Sequence, residues 1–401
     1  MSKKNRKWLV FTIMCLAYMP GSYAQYQLSV FAPELIQSFG LTTSQFSSLF
    51  TAPMIVAIFL SFVGGMISDK VGSKKVINIS FVIAGIGMVG RVFANSYMPF
   101  FLCMALTGFS NMFVNINASK ITASWFEQEK LGILMGIFAF CGQLPGAFAT
   151  ATTAVLFDSR TSAFIVSAIF CIGVFVLWLL FVKDRPEDTM EEREKIDQEN
   201  QPSIGDSLKV VLSNKGIWLV SICIMMVLGS TVTLSTFMPV ALQTMYGIDL
   251  KVCGTIASML TLGNCIGSIT GPIVFSKIKN VKVFVSGAAV LSFAGIIMCW
   301  RFPSIFVLHI LVLYTGIMLG ASMPIFLSAP VLLEGLGTKY AGSAAGVIST
   351  LQLLGAVLIP TYILTPIAGE NYSLLFMLAS ICMVIMFLCG LLLPQFGNNQ
   401  K

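Results

Sequence analysis

The sequence predicts an all-α integral membrane protein in which twelve transmembrane helices form two pseudo-symmetric bundles of six helices each. The chain has 401 residues, of which 56% are hydrophobic and only 10% are charged, and its mean hydropathy is +0.88. A soluble domain carries roughly a quarter charged residues, so we expect lipid to surround a chain this apolar. Its long apolar runs favour helices, because the strands of a membrane β-barrel alternate in polarity over about ten residues.

Charged, Pro, Gly and Asn residues divide the chain into twelve apolar segments, each long enough for the roughly 20 residues that span a bilayer. These segments lie near residues 8–33, 44–67, 76–95, 99–124, 130–157, 161–182, 216–244, 252–275, 281–300, 304–332, 339–365 and 371–393. Of the 24 lysines and arginines, all but Arg91, Arg160, Lys251 and Arg301 fall on one side if successive segments alternate in direction. The positive-inside rule therefore predicts a multi-pass protein of the cell membrane with cytoplasmic N- and C-termini.

A polar segment at residues 183–215 divides the apolar segments into two sets of six. It holds more than half of the 17 acidic residues of the chain. Such a mixture of charges is typical of a solvated connection. We therefore predict an N-terminal six-helix bundle at 1–182, a cytoplasmic linker at 183–215, and a C-terminal six-helix bundle at 216–401.

The two halves of the chain carry matching motifs in the same order. The sequence FAPELIQ at 31–37 is similar to FMPVALQ at 237–243, and GGMISDKVGSKKVI at 64–77 aligns without gaps with GPIVFSKIKNVKVF at 271–284. A third match pairs two glycines of the fifth apolar segment with two of the eleventh. Three matches at a nearly constant offset indicate a duplicated unit, and many secondary transporters are built from such repeats.

The polar loop between the second and third segments carries a motif of glycines and charged residues. Its defining residues are Gly65, Asp69, Lys70, Gly72 and Lys74. This loop resembles the signature loop of the major facilitator superfamily of membrane transporters, with Ser73 where a basic residue usually falls. The resemblance implies a gate that latches the two bundles on the cytoplasmic side; the alternative is a basic loop that only sets topology. The aligned copy has Ser276 in place of Asp69, so any such latch is expected to be asymmetric.

A second resemblance concerns the type of solute. Residues 115–126 and the following Lys130–Gly136 segment look like the region between the fourth and fifth spans of bacterial facilitators for small anions, such as the nitrate, cyanate and oxalate groups. The oxalate-type carriers place basic residues in the eighth and eleventh spans, whereas this chain has none there. Dicarboxylate recognition of that kind is therefore not expected.

Candidate substrate-binding residues are the polar side chains near the middle of the spans, where sites of such transporters lie. They are Gln25, Tyr26, Asn111, Asn115, Gln143, Asn264, Tyr314 and Gln352. Gln143 and Gln352 occupy near-equivalent places in the two halves, and Asn111 and Asn115 share one helix face. An amide inside the membrane must be hydrogen-bonded, so each amide either faces a polar cavity or joins two helices.

Ionisable residues within the spans are a further signal of function. Arg91, Lys120 and His309 are predicted as substrate-binding candidates; the alternatives are that the two cations extend to an interface and that His309 is a packing residue. No carboxylate falls at the middle of any predicted span. A cationic solute would therefore lack a counter-ion, and the balance favours a neutral or anionic solute.

The sequence thus predicts a secondary active or facilitative transporter that moves a small organic anion or polar metabolite by alternating access. Three alternatives stay open: efflux of amphipathic or cationic compounds, uptake of an amine-type solute, and a sensor that binds a solute without transporting it. Expected partners are a small-molecule substrate and the lipid bilayer, with the coupling ion left open, and the protein is expected to be monomeric. Since no metal-ligand cluster or catalytic pair occurs in the spans, we expect no enzyme activity, cofactor, metal site or nucleic-acid partner.

Overall fold

The structure is a computed structural model that describes residues 3–126, 128–182, 204–333 and 336–395. These residues form sixteen α-helices and one π-helical segment, and no β-strand occurs among them. In chain order they are α1 (Lys3–Val30), α2 (Ala32–Phe39), α3 (Thr43–Val71), α4 (Ser73–Phe93), α5 (Tyr97–Trp125), α6 (Gln128–Leu156), α7 (Arg160–Phe181), α8 (Ile204–Ser213), α9 (Lys215–Tyr246), α10 (Leu250–Ile278), α11 (Val281–Met298), α12 (Ile305–Ala321), α13 (Met323–Leu332), α14 (Gly337–Leu358), the π-helical segment (Ile359–Leu364), α15 (Thr365–Ala368) and α16 (Tyr372–Leu392). The predicted all-α fold class is confirmed.

Ten stretches of helix in the described part of the chain are long and apolar enough to cross a membrane, judged by length and composition. They account for ten of the twelve predicted spans. The first and fifth predicted spans coincide with α1 and α6, which have 28 and 29 residues but are not among the ten. In α1, polar residues such as Gln25 and Gln27 interrupt the apolar run and lower its mean hydropathy.

The chain divides into two compact units. The first contains residues 1–190 together with 248–258, and the second contains 191–247 together with 259–401. Of the predicted linker, residues 183–203 lie outside the described part of the chain, and residues 204–213 form the short helix α8. The predicted domain boundaries stay a prediction.

Within the first unit, helices approach one another closely at glycines. A Cβ on Gly108 of α5 would lie 2.4 Å from the carbonyl oxygen of Pro53 in α3, and a Cβ on Gly87 of α4 would lie 2.5 Å from the carbonyl oxygen of Cys103 in α5. Both distances are too short for a real side chain. Glycine at these two places therefore lets three helix backbones come into contact, as in many membrane helix pairs.

Within the second unit, one face of α10 is lined by glycines that pack against α12. A Cβ would lie 2.3 Å from the carbonyl oxygen of Leu313 if placed on Gly263, and 2.2 Å from that of Ile317 if placed on Gly267. One turn further along α10, a Cβ placed on Gly271 would lie 2.0 Å from the carbonyl oxygen of Ala321. Helices in lipid associate through such close packing, because no hydrophobic force drives them together there.

Two turns with unusual backbone geometry lie at aligned positions of the duplicated halves. Gly72, between α3 and α4, has φ +95°, and Lys279, between α10 and α11, has φ +55°. A positive φ is easy for glycine and unfavourable for a residue with a Cβ. At Lys279 the turn is supported by Gln395, whose Nε2 donates to the Lys279 carbonyl at 2.7 Å and whose Oε1 accepts from the Val281 N–H at 3.2 Å.

Candidate functional site

In the first unit, Gln25 and Tyr26 of α1 both pack against α3. The Nε2 of Gln25 donates to the carbonyl oxygen of Phe50 at 2.8 Å, and the Tyr26 ring meets the Phe50 ring edge-on at 5.5 Å between centroids. The side chain of Gln25 is buried, whereas that of Tyr26 is half-buried. Gln25 therefore joins two helices in this conformation, and Tyr26 keeps part of its surface accessible.

The half-buried Tyr26 ring rests on α6 at a glycine. A Cβ on Gly146 would lie 3.0 Å from the ring, and a Cβ on Gly142, one turn earlier, would lie 2.1 Å from the ring of Tyr18. Tyr18 also stacks on Phe138 with centroids 4.8 Å apart. The rings of two tyrosines of α1 thus pack directly on the backbone of α6 at two glycines. A side chain at either position would occupy the space of a ring, which explains why glycines flank Gln143 and Pro145.

Asn111 of α5 packs against α1 where Gly21 leaves room for it. A Cβ on Gly21 would lie 2.5 Å from the nearest atom of the Asn111 side-chain amide. In the amide orientation that satisfies both of its ends, Nδ2 donates to the Tyr18 carbonyl at 3.1 Å and Oδ1 accepts from the Ser22 hydroxyl and N–H, each at 3.1 Å. Asn111 therefore serves as a link between α5 and α1.

Asn115, one turn further along α5, and Gln143 of α6 have a different environment. Both side chains are exposed, and no hydrogen-bond partner for either amide occurs among the described residues. Lys120 is also exposed on α5. Because an amide inside a membrane needs a partner, Asn115 and Gln143 remain candidates for contact with a polar solute.

Arg91 of α4 lies in the interior of the first unit, with only 1% of its surface exposed. Its Nη1 donates to the carbonyl oxygen of Ala24 at 3.0 Å, and its Nη2 donates to the Oε1 of Gln27 at 3.0 Å and to the hydroxyl of Ser167. The guanidinium carbon lies 4.4 Å from the centre of the Phe164 ring, a cation–π contact. We call Arg91, Ala24, Gln27, Phe164 and Ser167 the Arg91 cluster.

This burial changes how the sequence prediction for Arg91 must be understood. The side chain neither extends to an interface nor lines an open surface, because its hydrogen-bonding groups point at α1 and α7. Its Nε is buried without a hydrogen-bond partner, and no carboxylate among the described residues pairs with it. Gln27 is completely buried and escaped the sequence analysis. The one signal for Gln27 was indirect: an arginine inside a span must find acceptors, and Gln27 lies on the neighbouring helix.

In the second unit, the four predicted residues lie in three helices. Asn264 of α10 is buried with its Oδ1 against Gly320 of α12, and the Tyr314 hydroxyl of α12 donates to the Leu291 carbonyl of α11 at 3.4 Å. The Nδ1 of His309 lies 2.8 Å from the carbonyl oxygen of Ile305, one turn earlier in the same helix. Gln352 of α14 is half-buried and has no hydrogen-bond partner among the described residues.

The predicted gating loop is described only in part. Gly72 makes the turn between α3 and α4, and Lys74 is half-buried at the start of α4. The side chains of Asp69 and Lys70 lie outside the described residues, as does the environment of Gly65. Just before this loop, the Nδ2 of Asn117 donates to the Ser68 hydroxyl at 2.9 Å and thereby joins α5 to the end of α3. The described residues contain no group of three or more metal-binding side chains.

Comparison with known proteins agrees with this picture. A probable sulfoacetate transporter of Cupriavidus necator is 24% identical over 85% of this chain and 83% of its own length. A galacturonate transporter of Dickeya chrysanthemi is 22% identical over 74% of this chain and 90% of its own length. A membrane sensor protein of Salmonella typhimurium is 24% identical over 88% of this chain and 83% of its own length.

The fold also matches that of a solved transporter structure. The crystal structure of a bacterial homologue of the human lysosomal transporter Spinster superposes with a TM-score of 0.77, at 14% sequence identity, over 98% of this chain and 95% of that one. The model of the Major Facilitator Superfamily matches residues 10–360, which is most of the chain. Together with the helical fold, this match shows that the protein belongs to the major facilitator superfamily.

Proposed function

We propose that this protein carries a small organic anion across the cell membrane by alternating access of its two units. The observation that carries the proposal is the chemistry of the first unit. It holds a buried arginine with no carboxylate partner among the described residues, and its exposed amides at Asn115 and Gln143 are able to bond a polar solute. Relatives named for sulfoacetate and galacturonate, both of them small anions, support the same class of substrate.

The proposed substrate contacts are the two exposed amides of the first unit, Tyr26 of α1, and the half-buried Gln352 of the second unit. An amide can both donate to and accept from a hydroxylated acid, and a tyrosine offers an apolar face with a hydroxyl at its edge. Asn111, Gln25 and Asn264 support this set by holding their helices together. Lys120, His309 and Tyr314 stay in the proposal as candidates for substrate contact.

The orientation and the gate belong to the same proposal. The distribution of lysine and arginine supports cytoplasmic N- and C-termini. The motif residues Gly65, Asp69, Lys70, Gly72 and Lys74 are proposed to latch the two units on that side. The positive φ of Gly72 supports a backbone role for the turn, because few other residues adopt it.

The test is transport by the purified full-length chain in proteoliposomes. We expect saturable uptake of labelled galacturonate or sulfoacetate and weak uptake of galactose, the neutral counterpart of galacturonate. Replacing Gln143 and Gln352 together by Leu should abolish this uptake, whereas replacing Gln37, an exposed amide on α2, should leave it unchanged. Unchanged kinetics in the double variant would remove both amides from the substrate site.

The membrane sensor relative favours a second candidate function, in which the protein binds a solute without moving it. The two functions differ in one measurable outcome. A ligand that binds the folded protein but not the unfolded chain raises the unfolding temperature in either case. Stabilisation by galacturonate with no flux in either direction would support the sensor, and saturable flux would exclude it.

A further inference from the structure

The Arg91 cluster contains a charge that no carboxylate among the described residues neutralises. Arginine remains protonated in proteins, so the cluster carries a full positive charge inside the first unit. Its contacts are a backbone carbonyl, an amide oxygen, a hydroxyl and an aromatic ring, none of which bears a negative charge. A buried cation is normally paired with a carboxylate, because an isolated charge is costly to remove from water.

The cluster lies close along α1 to Tyr26, which is proposed to contact the substrate. The Nη1 of Arg91 bonds the carbonyl of Ala24, and Gln25 and Tyr26 are the next two residues of that helix. With a rise of about 1.5 Å per residue, these residues lie within one helical turn of the contact. The guanidinium itself does not reach a solute, since 99% of its side chain is covered, so any influence on a solute acts through space.

We propose that Arg91 is a specificity-determining residue that selects anionic solutes by its uncompensated charge, without touching them. This inference rests on the proposed transport of an organic anion and deepens it. In the membrane interior, opposite unit charges about 10 Å apart attract strongly enough, at an effective dielectric constant of about 20, to change binding on the order of tenfold. Salt screens such an attraction much less than it screens charges on the surface.

The structure offers two ways to neutralise this charge while keeping the side chain. Gln27→Glu keeps the acceptor 3.0 Å from Nη2 and adds a negative charge, and it replaces the 3.3 Å bond from Gln27 Nε2 to the Ala163 carbonyl with a contact between two oxygens. The second site is Met104, whose sulfur lies 3.9 Å from Nη1. There, Met104→Glu introduces a carboxylate, and Met104→Gln has the same shape without the charge.

A third variant changes the contacts of Arg91 and leaves its charge alone. Ser167→Ala removes the hydroxyl that accepts from Nη2 but keeps the guanidinium uncompensated. This variant separates an effect of charge from an effect of positioning. If Arg91 acted only by holding α1 and α7 in place, Ser167→Ala would impair binding at least as much as Gln27→Glu.

The experiment measures binding of galacturonate and of galactose to each full-length variant, together with its unfolding temperature. We expect Gln27→Glu and Met104→Glu to weaken galacturonate binding about tenfold and to leave galactose binding unchanged. Met104→Gln and Ser167→Ala should stay within about threefold of the original protein for both sugars. If one carboxylate variant does not fold, the other, with its glutamine control, still decides the matter.

Two results would overturn the inference. In the first, the carboxylate variants bind galacturonate as well as the original protein does. In the second, all four variants weaken the binding of both sugars in proportion to their loss of stability. Arg91 would then be a purely structural residue. If the original protein itself bound neither galacturonate nor sulfoacetate, the proposed function would be wrong. The role of Arg91 in choosing the substrate would then be wrong as well.

Discussion

The two units differ in polarity at one aligned position of their repeats. In the first unit α4 carries Arg91, which is 1% exposed and bonded to two other helices. Extending the gapless alignment of 64–77 with 271–284 places Met298 at the equivalent position, the last residue of α11, where 42% of its surface is exposed. Because the second unit has the same helical architecture without the charge, the fold does not require an arginine here. The arginine is therefore better explained by function.

The units also differ in how their helices come into contact. The second unit brings α10 and α12 together along Gly263, Gly267 and Gly271, with backbone against backbone. In the first unit, side chains also join the helices through charged and amide groups, which link Asn111 to α1 and Arg91 to α1 and α7. Polar links can form only where each group finds a partner, which makes the first unit more sensitive to single substitutions.

The largest expected effect tests the polar interior of the first unit. Arg91→Met should destabilise the protein by about 3 kcal/mol, the upper end of the cost of leaving buried polar groups unsatisfied, because Gln27 and Ser167 lose a principal partner. The matched change in the second unit, Met298→Leu, should shift stability by less than about 0.5 kcal/mol. Thermal unfolding of both variants in detergent measures the difference. Equal unfolding temperatures would show that the two positions are equivalent after all.

The next effect tests the glycine contact of the second unit. Gly267→Ala should cost about 2 kcal/mol, because its Cβ would come within 2.2 Å of the Ile317 carbonyl and force α10 away from α12. Gly287→Ala on α11 is the control, since a Cβ there meets nothing within 4 Å. That change should be neutral or stabilise the helix by up to about 1 kcal/mol. A neutral Gly267→Ala would contradict the close packing of these two helices.

The smallest effect compares the two aligned turns. Gly72→Ala should destabilise the protein by about 1 kcal/mol, because the new side chain must adopt φ +95°. The opposite change, Lys279→Gly, should stabilise it by about 1 kcal/mol by relieving the positive φ. Unfolding temperatures of the two single variants give the sign of each effect. Shifts of the same sign would mean that the backbones of the two turns are not under comparable strain.

Much of the architecture was predictable from the sequence, because a lipid solvent restricts what a chain can do. Backbone groups in a bilayer must be bonded within a helix or a closed barrel, so long apolar runs identify helices directly. The duplicated loop likewise predicted where turns occur, and both Gly72 and Lys279 lie in turns with positive φ. The count of twelve spans depended on α1 and α6, which are not among the ten candidate spans.

The environment of the individual polar residues was less predictable. Arg91 was identified as unusual, but its partner Gln27 was missed, and Asn111 and Gln25 proved to be links between helices. Ser167 lies in another helix, far from Arg91 along the chain. Helical periodicity shows which residues share a face, but it does not show which helix packs against that face.

The sequence by itself determined the helical class, the position of most spans, the duplication and the resemblance to a transporter family. The physical reason is that hydrophobic length, charge asymmetry and repeated motifs are properties of the chain read in order. Only the tertiary structure decided that Arg91 turns inward to α1 and α7 while Asn115 and Gln143 stay exposed. Those outcomes depend on where glycines let helices approach and on which acceptors then come within about 3 Å of a donor.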